Sequence, residues 1–276
     1  MAHSSDRTGD WPPEFLEAFA AFQGRFGRLA GERRFLDIIG STNDVVSAMA
    51  AAGAREGLVV IADAQTAGRG RRGRTWCSPP GAGLYVSLLL TPGRAGSDPA
   101  RATALLTLAA GVALAQGVEA ATGLAADIKW PNDLLVGRRK LAGILAEGLV
   151  GGGDDGLQVV LGFGINVRPA AYPSDVSSRA TSLETELGRP VDRGLVCAHT
   201  LAALSERYDD LLNGRFDAIL DGWRRRAPGC HGSRVRWHDA QGMRTGVTAG
   251  IDETGALLVQ AGDALQRLVA GEVLWD

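Results

Sequence analysis

The chain has 276 residues, 45% of them hydrophobic and 22% charged, with a net charge of −2 and a pI near 6.1. That length suits one large domain or a large one with a small partner, and the charge balance gives no global reason to bind nucleic acid or an anionic membrane. Three dispersed cysteines without CxxC spacing exclude the usual disulfide framework or zinc site and point to a reducing, cytoplasmic compartment.

The first ten residues are polar and are expected to be loose, and residues 1–13 lack the basic region and apolar run of a signal peptide. From Glu14 to Leu29, Phe15, Phe19, Phe22, Phe26 and Leu29 recur at helical spacing, which predicts one amphipathic helix. RFLDIIG reads as a strand, and Asn43 to Ala52 as an alanine-rich helix stopped by Gly53. LVVIADA and LYVSLLL are buried strands on either side of a polar loop from Gln65 to Gly83. Pro99 to Thr122 is a long, largely buried helix; its most apolar run, Ala102 to Ala115, is shorter than the roughly 20 residues a bilayer span needs.

ADIKW, LLV and KLAGILAEGLV follow as strands, the last two joined by a Gly-Arg-Arg hairpin turn. LQVVLGFGINV is one more strand, and residues 182–226 read as helical. Beyond Gly232 the texture changes to short β segments, SRVRW, GVTAGI, ALLVQ and LQRLVAGEV. That shift places a boundary near Ala227–His231, before a small β-barrel-like module that leans on the larger domain.

Basic residues are distributed unevenly. The chain has 27 arginines and two lysines, Lys129 and Lys140, both within KWPNDLLVGRRK. Pro131 cannot donate a ladder hydrogen bond, so the Trp-Pro-Asn-Asp stretch ends a strand and brings Asn132 and Asp133 to a turn facing a cleft. A lysine ammonium is a compact point charge that fits beside a carboxylate and a phosphate at once, and a guanidinium is broader and more directional. Two solvent-facing lysines left by chance would scatter; these cluster.

The loop QTAGRGRRGRTW sets Arg69, Arg71, Arg72 and Arg74 among glycines, with no Asp or Glu between Asp63 and Asp98. Its glycines let the backbone approach a ligand, and its guanidiniums offer forked donors to phosphate oxygens. The bland alternative is a solvated loop or a weak nucleic-acid patch. Trp76 is either a core anchor or a stacking surface for a nucleobase. GFGIN lacks the third glycine of the dinucleotide fingerprint, so Gly162 and Gly164 are read as sites of close packing, with Asn166 a polar reader at the tip. Ser41, Thr42 and Asn43 are ordinary helix caps, or the same geometry turned towards a small polar ligand. The four histidines show no ligand spacing and no GxSxG elbow is present, which excludes a zinc or covalent serine hydrolase of familiar pattern.

Taken in order, STN, QTAGRGRRGRTW, KWPNDLLV, RKLAGILAE and GFGIN resemble the bacterial biotin protein ligases, also called biotin–[acetyl-CoA-carboxylase] ligases. The resemblance covers about residues 36 to 167, with a closing GEV pattern similar to the family's small C-terminal domain. It implies an α+β fold: a catalytic domain like that of class II aminoacyl-tRNA synthetases, with a mixed, mostly antiparallel sheet and flanking helices, plus an SH3-like β-barrel. The divisions would be an N-terminal extension over 1–35, the catalytic domain over 36–228 and the barrel over 229–276.

It also implies two steps: biotin and ATP give biotinyl-5'-AMP with Mg²⁺ assisting, then a lysine of a biotin carboxyl carrier protein takes the biotin. Arg69, Arg71 and Lys140 would clamp carboxylate and α-phosphate. Ser41, Thr42, Asn43 and Gln65 would face the ureido ring, and Gly70 would lend backbone. Arg74, Trp76, Asn132 and Asn166 would hold the adenylate. Lys129 falls near the leaving phosphates, and Asp133 orients either Lys140 or a magnesium water; no metal ligands are assigned. The glycine-rich loop is expected to be mobile when empty and to close over the adenylate.

Only about 35 residues, with one helix, precede the first matching motif, so the monofunctional form without sequence-specific DNA binding is expected, as a monomer or homodimer. The rivals are a lipoate or octanoate ligase of the same fold, and a nucleic-acid module built on the arginine loop.

Overall fold

A computed structural model describes residues 10–149, 156–170, 172–239 and 242–275, so the expected loose stretch over 1–9 and the last strand residue, Val150, lie outside the described residues. Helix α1 (Pro13–Ala21) opens the chain and is shorter than its periodicity predicts. Gly24 and Gly27 adopt φ of 90° and 46°, ending the helix and turning the chain into a short 3₁₀ turn over Gly27–Leu29. The apolar spacing survives the break: Phe15, Phe22, Phe26 and Leu29 are all buried, and Trp11, Phe15, Phe19 and Phe35 meet ring to ring.

Strand β1 (Arg33–Ile39) and helix α2 (Thr42–Ala51) lead to β2 (Val59–Gln65) and β3 (Gly83–Leu90). Helix α3 (Pro99–Thr122) has the start and stop its sequence announces. Asp98 accepts from the Arg101 amide at 2.9 Å, Pro99 occupies the first turn and Gly123 is left-handed. The helix is longer than its most apolar run and is long and apolar enough to cross a bilayer, yet 67% of its most apolar window is buried inside the molecule. Gly117 lets it pack close to the next long helix, because a Cβ there would stand 2.5 Å from Thr200 Cα.

The strands β4 (Asp127–Lys129), β5 (Asp133–Val136), β6 (Arg139–Gly148) and β7 (Val159–Asn166) complete a seven-stranded sheet ordered β1-β2-β3-β7-β6-β5-β4. Only β1 and β2 pair in parallel; every other pairing is antiparallel. The helical stretch expected over 182–226 is three helices, α5 (Leu183–Leu187), α6 (Arg193–Leu212) and α7 (Phe216–Arg226), preceded by a single turn, α4 (Ser174–Ser177). Left-handed Gly188 and Gly214 make the two breaks.

A second, five-stranded antiparallel sheet follows: β8 (His231–Asp239), β9 (Gly242–Ile251), β10 (Leu257–Ala261), β11 (Ala264–Leu268) and β12 (Val273–Trp275), ordered β11-β10-β9-β8-β12. Its inner face, with Val235, Trp237, Leu257, Val259 and Val273, joins the core of the large sheet without a gap. Trp130 donates from its indole to the Gly255 carbonyl at 3.0 Å, and Gly255 lies against Leu105 and Leu108 of α3. These contacts fix where the last strand runs, and that strand returns to the wall of the main cavity.

Candidate active site

Each site element begins with a local reason. Ser41 takes extended backbone angles (φ −150°, ψ 137°) and starts α2, but its hydroxyl makes no capping bond. Thr42 and Asn43, also read as caps, spend their polar atoms elsewhere. Gln65 Oε1 accepts from the Thr42 amide at 2.9 Å and its hydroxyl at 3.2 Å, while Gln65 Nε2 donates to Ser78 Oγ at 2.9 Å. Buried Ser87 Oγ lies 2.7 Å from Thr42 Oγ1 and 2.6 Å from Asn43 Oδ1.

The arginine loop folds as a small hairpin. Arg69 bridges Thr75, Gly70 N donates to Arg74 O at 2.7 Å and Trp76 N to Gly68 O at 2.9 Å. The Gly70 amide is therefore used inside the loop. Arg72 takes φ 58°, a left-handed conformation at the tip that a non-glycine residue adopts at some cost.

The two glycines of GFGIN explain how distant motifs interlock. They stand two apart on β7, so both face the same side of the sheet. A Cβ on Gly162 would lie 2.1 Å from Asn43 Oδ1, and one on Gly164 would lie 2.3 Å from Trp76 Nε1. Each glycine thus recesses the sheet floor for one side chain of an earlier motif. Gly143 of β6 does the same for the Trp76 ring edge, at 3.1 Å. Trp76 Nε1 is buried there with no hydrogen-bond partner among the described residues.

Lys129 and Asp133 face each other across the β4–β5 hairpin, whose turn is Trp130-Pro131-Asn132. Asp133 Oδ1 is 2.7 Å from Lys140 Nζ, and that ammonium lies 5.3 Å from the Trp76 ring centroid. Asp133 thus pairs with Lys140, one of the two partners read for it. Asn132 is braced on both sides, donating to Ile144 O at 2.7 Å and accepting from Arg71 Nη1 at 3.3 Å. Asn166 is buried and gives its amide to Thr181 O at 2.9 Å, fastening the chain that pairs with Lys140.

All fourteen residues singled out from sequence line one cavity of about 720 Å³: Ser41, Thr42, Asn43, Gln65, Arg69, Gly70, Arg71, Arg74, Trp76, Lys129, Asn132, Asp133, Lys140 and Asn166. Eight cationic side chains and two carboxylates stand in its wall, so it suits an anionic ligand. Burial lowers the pKa of the Arg71 guanidinium, Asp133 opposing and Arg72 adding. Burial also pulls the Lys129 ammonium below the ordinary lysine value, with Asp133 opposing and Lys140 adding. Among the described residues no group of three His, Cys, Asp or Glu side chains is placed to hold a metal.

Sequence reasoning missed four contributors. Glu147 accepts on one oxygen from Asn43 Nδ2 at 2.6 Å and Arg69 Nη2 at 2.8 Å, and Asp44 pairs with the same Arg69 nitrogen at 2.9 Å. Glu272, on the segment before β12, takes Arg74 Nη2 with both oxygens, at 2.6 and 2.7 Å. Ser87 lies mid-strand in β3. A lone Glu in the apolar strand KLAGILAEG was the one available signal among them.

Comparison with known proteins agrees with this arrangement. Residues 35–166 match the biotin/lipoate A/B protein ligase family. The biotin–[acetyl-CoA-carboxylase] ligase of Mycobacterium tuberculosis is 38% identical over 254 residues, covering 87% of this chain and 89% of that protein. The bifunctional ligase/repressor BirA of Bacillus subtilis is 37% identical over 239 residues, 86% of this chain and 72% of its own length. Among solved structures, the Aquifex aeolicus biotin protein ligase in complex with biotin and ATP superposes with a TM-score of 0.75 at 28% identity, covering 89% of this chain and 98% of that one. By sequence, by its mixed sheet with a second smaller sheet, and by the residues that line its cavity, the chain belongs to the biotin/lipoate A/B protein ligase family.

Proposed function

We propose that this protein is an ATP-dependent biotin–protein ligase. It joins the biotin carboxylate to the α-phosphate of ATP, with pyrophosphate leaving, then passes biotin to the ε-amine of a lysine on a carboxylase carrier protein, with AMP leaving. The observation that carries the reading is the single cavity in which both lysines and the arginine loop converge beside a buried polar pocket. Two mutually repelling anions must come within bonding reach there, and fixed cations offset that repulsion without reacting themselves.

Lys140, oriented by Asp133, stands where carboxylate and α-phosphate meet, with Arg71 beside it. Ser41, Thr42, Asn43 and Gln65 hold the ureido ring. Trp76, Arg74, Asn132 and Asn166 frame the adenylate, and Lys129 faces the departing phosphates. Arg69 joins the clamp once it leaves Asp44 and Glu147. The loop closes over the adenylate and keeps water from the anhydride; biotin plus ATP then protects residues 66–78 from limited proteolysis. A protein-held Mg²⁺ site does not fit the described residues, since Asp133 and Glu272 are each paired with a cation. The metal belongs with the nucleotide, as MgATP.

We read residues 36–228 as a catalytic domain related to class II aminoacyl-tRNA synthetases, residues 229–276 as an SH3-like barrel and residues 1–35 as an extension. Three free cysteines fit a cytoplasmic location. A monomer or homodimer is proposed, and the alignment covers 89% of the M. tuberculosis protein, whose name carries the ligase activity alone. The test is mass spectrometry of a carrier domain incubated with ATP, the protein and either biotin or lipoate. A biotin adduct is expected; a lipoyl adduct alone would move the reading to the other branch of the family, and no adduct with either would overturn it.

A further inference from the structure

We propose that Glu147 is a positioning residue that couples the pocket at the start of α2 to the first arginine of the loop. The inference rests on the ligase reading and adds a residue that the reading does not use. A continuous chain of polar contacts runs through the molecule here. Ser78 bonds Gln65, Gln65 bonds Thr42, Ser87 touches both Thr42 and Asn43, and Asn43 bonds Glu147, which bonds Arg69. Ser78 also donates to the Trp76 carbonyl at 3.1 Å, so the chain starts and ends on the arginine loop. Most of its middle is withdrawn from solvent: Ser78, Thr42, Ser87 and Asn43 are all buried, Ser87 completely, and Gln65 is half-buried.

Glu147 is the one carboxylate in that chain, and a single oxygen, Oε2, serves both neighbours. Asn43 is held in one orientation by this arrangement, its Oδ1 against Ser87 and its Nδ2 on Glu147. Arg69 is held by Glu147 and Asp44 together, through one guanidinium nitrogen. Glu147 thus competes with any bound anion for Arg69, while it supports the pocket through Asn43. When an anion draws Arg69 away, the shared oxygen serves Asn43 alone and fixes its amide more firmly. The two halves of the cavity are therefore linked with positive sign.

The prediction has opposite signs for the two ligands, which a merely structural role would not produce. Biotin and a non-hydrolysable ATP analogue are titrated separately and together by calorimetry into wild type, Glu147→Gln and Glu147→Ala. Glutamine, with its carbonyl oxygen in the place of Oε2, keeps an acceptor for Asn43 but loses the negative charge that holds Arg69. That variant is expected to bind the analogue alone at least threefold tighter and biotin within threefold of wild type. Alanine removes both bonds, so the analogue again binds tighter while biotin alone weakens tenfold or more. In both variants the mutual enhancement of the two ligands falls towards one. Parallel weakening of both ligands, or unchanged analogue affinity in both variants, overturns the proposal. Wild-type carrier biotinylation is measured alongside, so failure of the ligase reading shows up separately as absent turnover.

Discussion

Gly164→Ala tests the packing on which the site is built. A Cβ at this position would sit 2.3 Å from Trp76 Nε1 and 2.4 Å from Cε2, where ordinary contact begins near 3.4 Å. The β7 backbone is paired on both sides, with Tyr85 of β3 and Gly143 of β6, so the strand cannot retreat. The indole must, by about 1 Å. Trp76 is only half-buried and rides on a loop, which limits the stability loss to about 1–2 kcal/mol, the lower part of the range for overpacking. At about 2–4 °C per kcal/mol for a chain of this size, the melting temperature falls by a few degrees.

The catalytic loss is expected to be much larger. Displacing Trp76 by about 1 Å also disturbs Lys140, whose ammonium lies over the ring, and such misplacement can cost about 100-fold in rate. The assays are a thermal melt and biotin-dependent pyrophosphate release under single-turnover conditions. Adenylate formation within threefold of wild type, in a variant whose melt has moved as expected, would refute the claim that Trp76 on its glycine floor is part of the reacting arrangement.

Lys140→Ala is expected to fold and to lose adenylate formation, and Lys140→Arg to recover little, because the forked cation cannot occupy the space between Asp133 and the indole; near-normal turnover by the arginine variant would contradict this. For Lys129, burial lowers the folded pKa below the ordinary 10.5, so the folded state gives up its proton first and stability rises with pH across the interval up to 10.5. Lys129→Arg stays charged in both states and should flatten that slope in denaturant titrations across the alkaline range; an identical slope counts against it. Glu272→Gln frees Arg74 from an ion pair that is largely exposed on the arginine side, so stability should change by less than about 1 kcal/mol. The KM for ATP should shift severalfold with the KM for biotin unmoved, and equal shifts in both would argue for general damage.

The parts of the site legible in the sequence were those written in short local runs. Gly-rich spacing, an arginine cluster without nearby acids and two isolated lysines each carry a physical signal within a dozen residues. Glu272 meets Arg74 across 198 positions and Glu147 meets Asn43 across 104, and no local pattern encodes which distant carboxylate will find a given cation. The fold shows the same division. Strands and long helices followed their hydrophobic periods, but the first helix did not reach Leu29, because Gly24 and Gly27 turned the chain while keeping the aromatic residues at a spacing that mimics a longer helix. The two GFGIN glycines were correctly read as packing sites; what they pack against emerged only once the sheet was assembled.

The placement of the two lysines bears on what happens to an intermediate that escapes. A mixed anhydride of a carboxylic acid and AMP acylates free amines wherever it meets them. On this chain both side-chain amines are inside the cavity wall, Lys140 held by a carboxylate, and every other basic side chain apart from the histidines is a guanidinium. The outer surface therefore offers no lysine for the enzyme to label on itself, which removes one route by which activated vitamin would be lost before it meets the carrier.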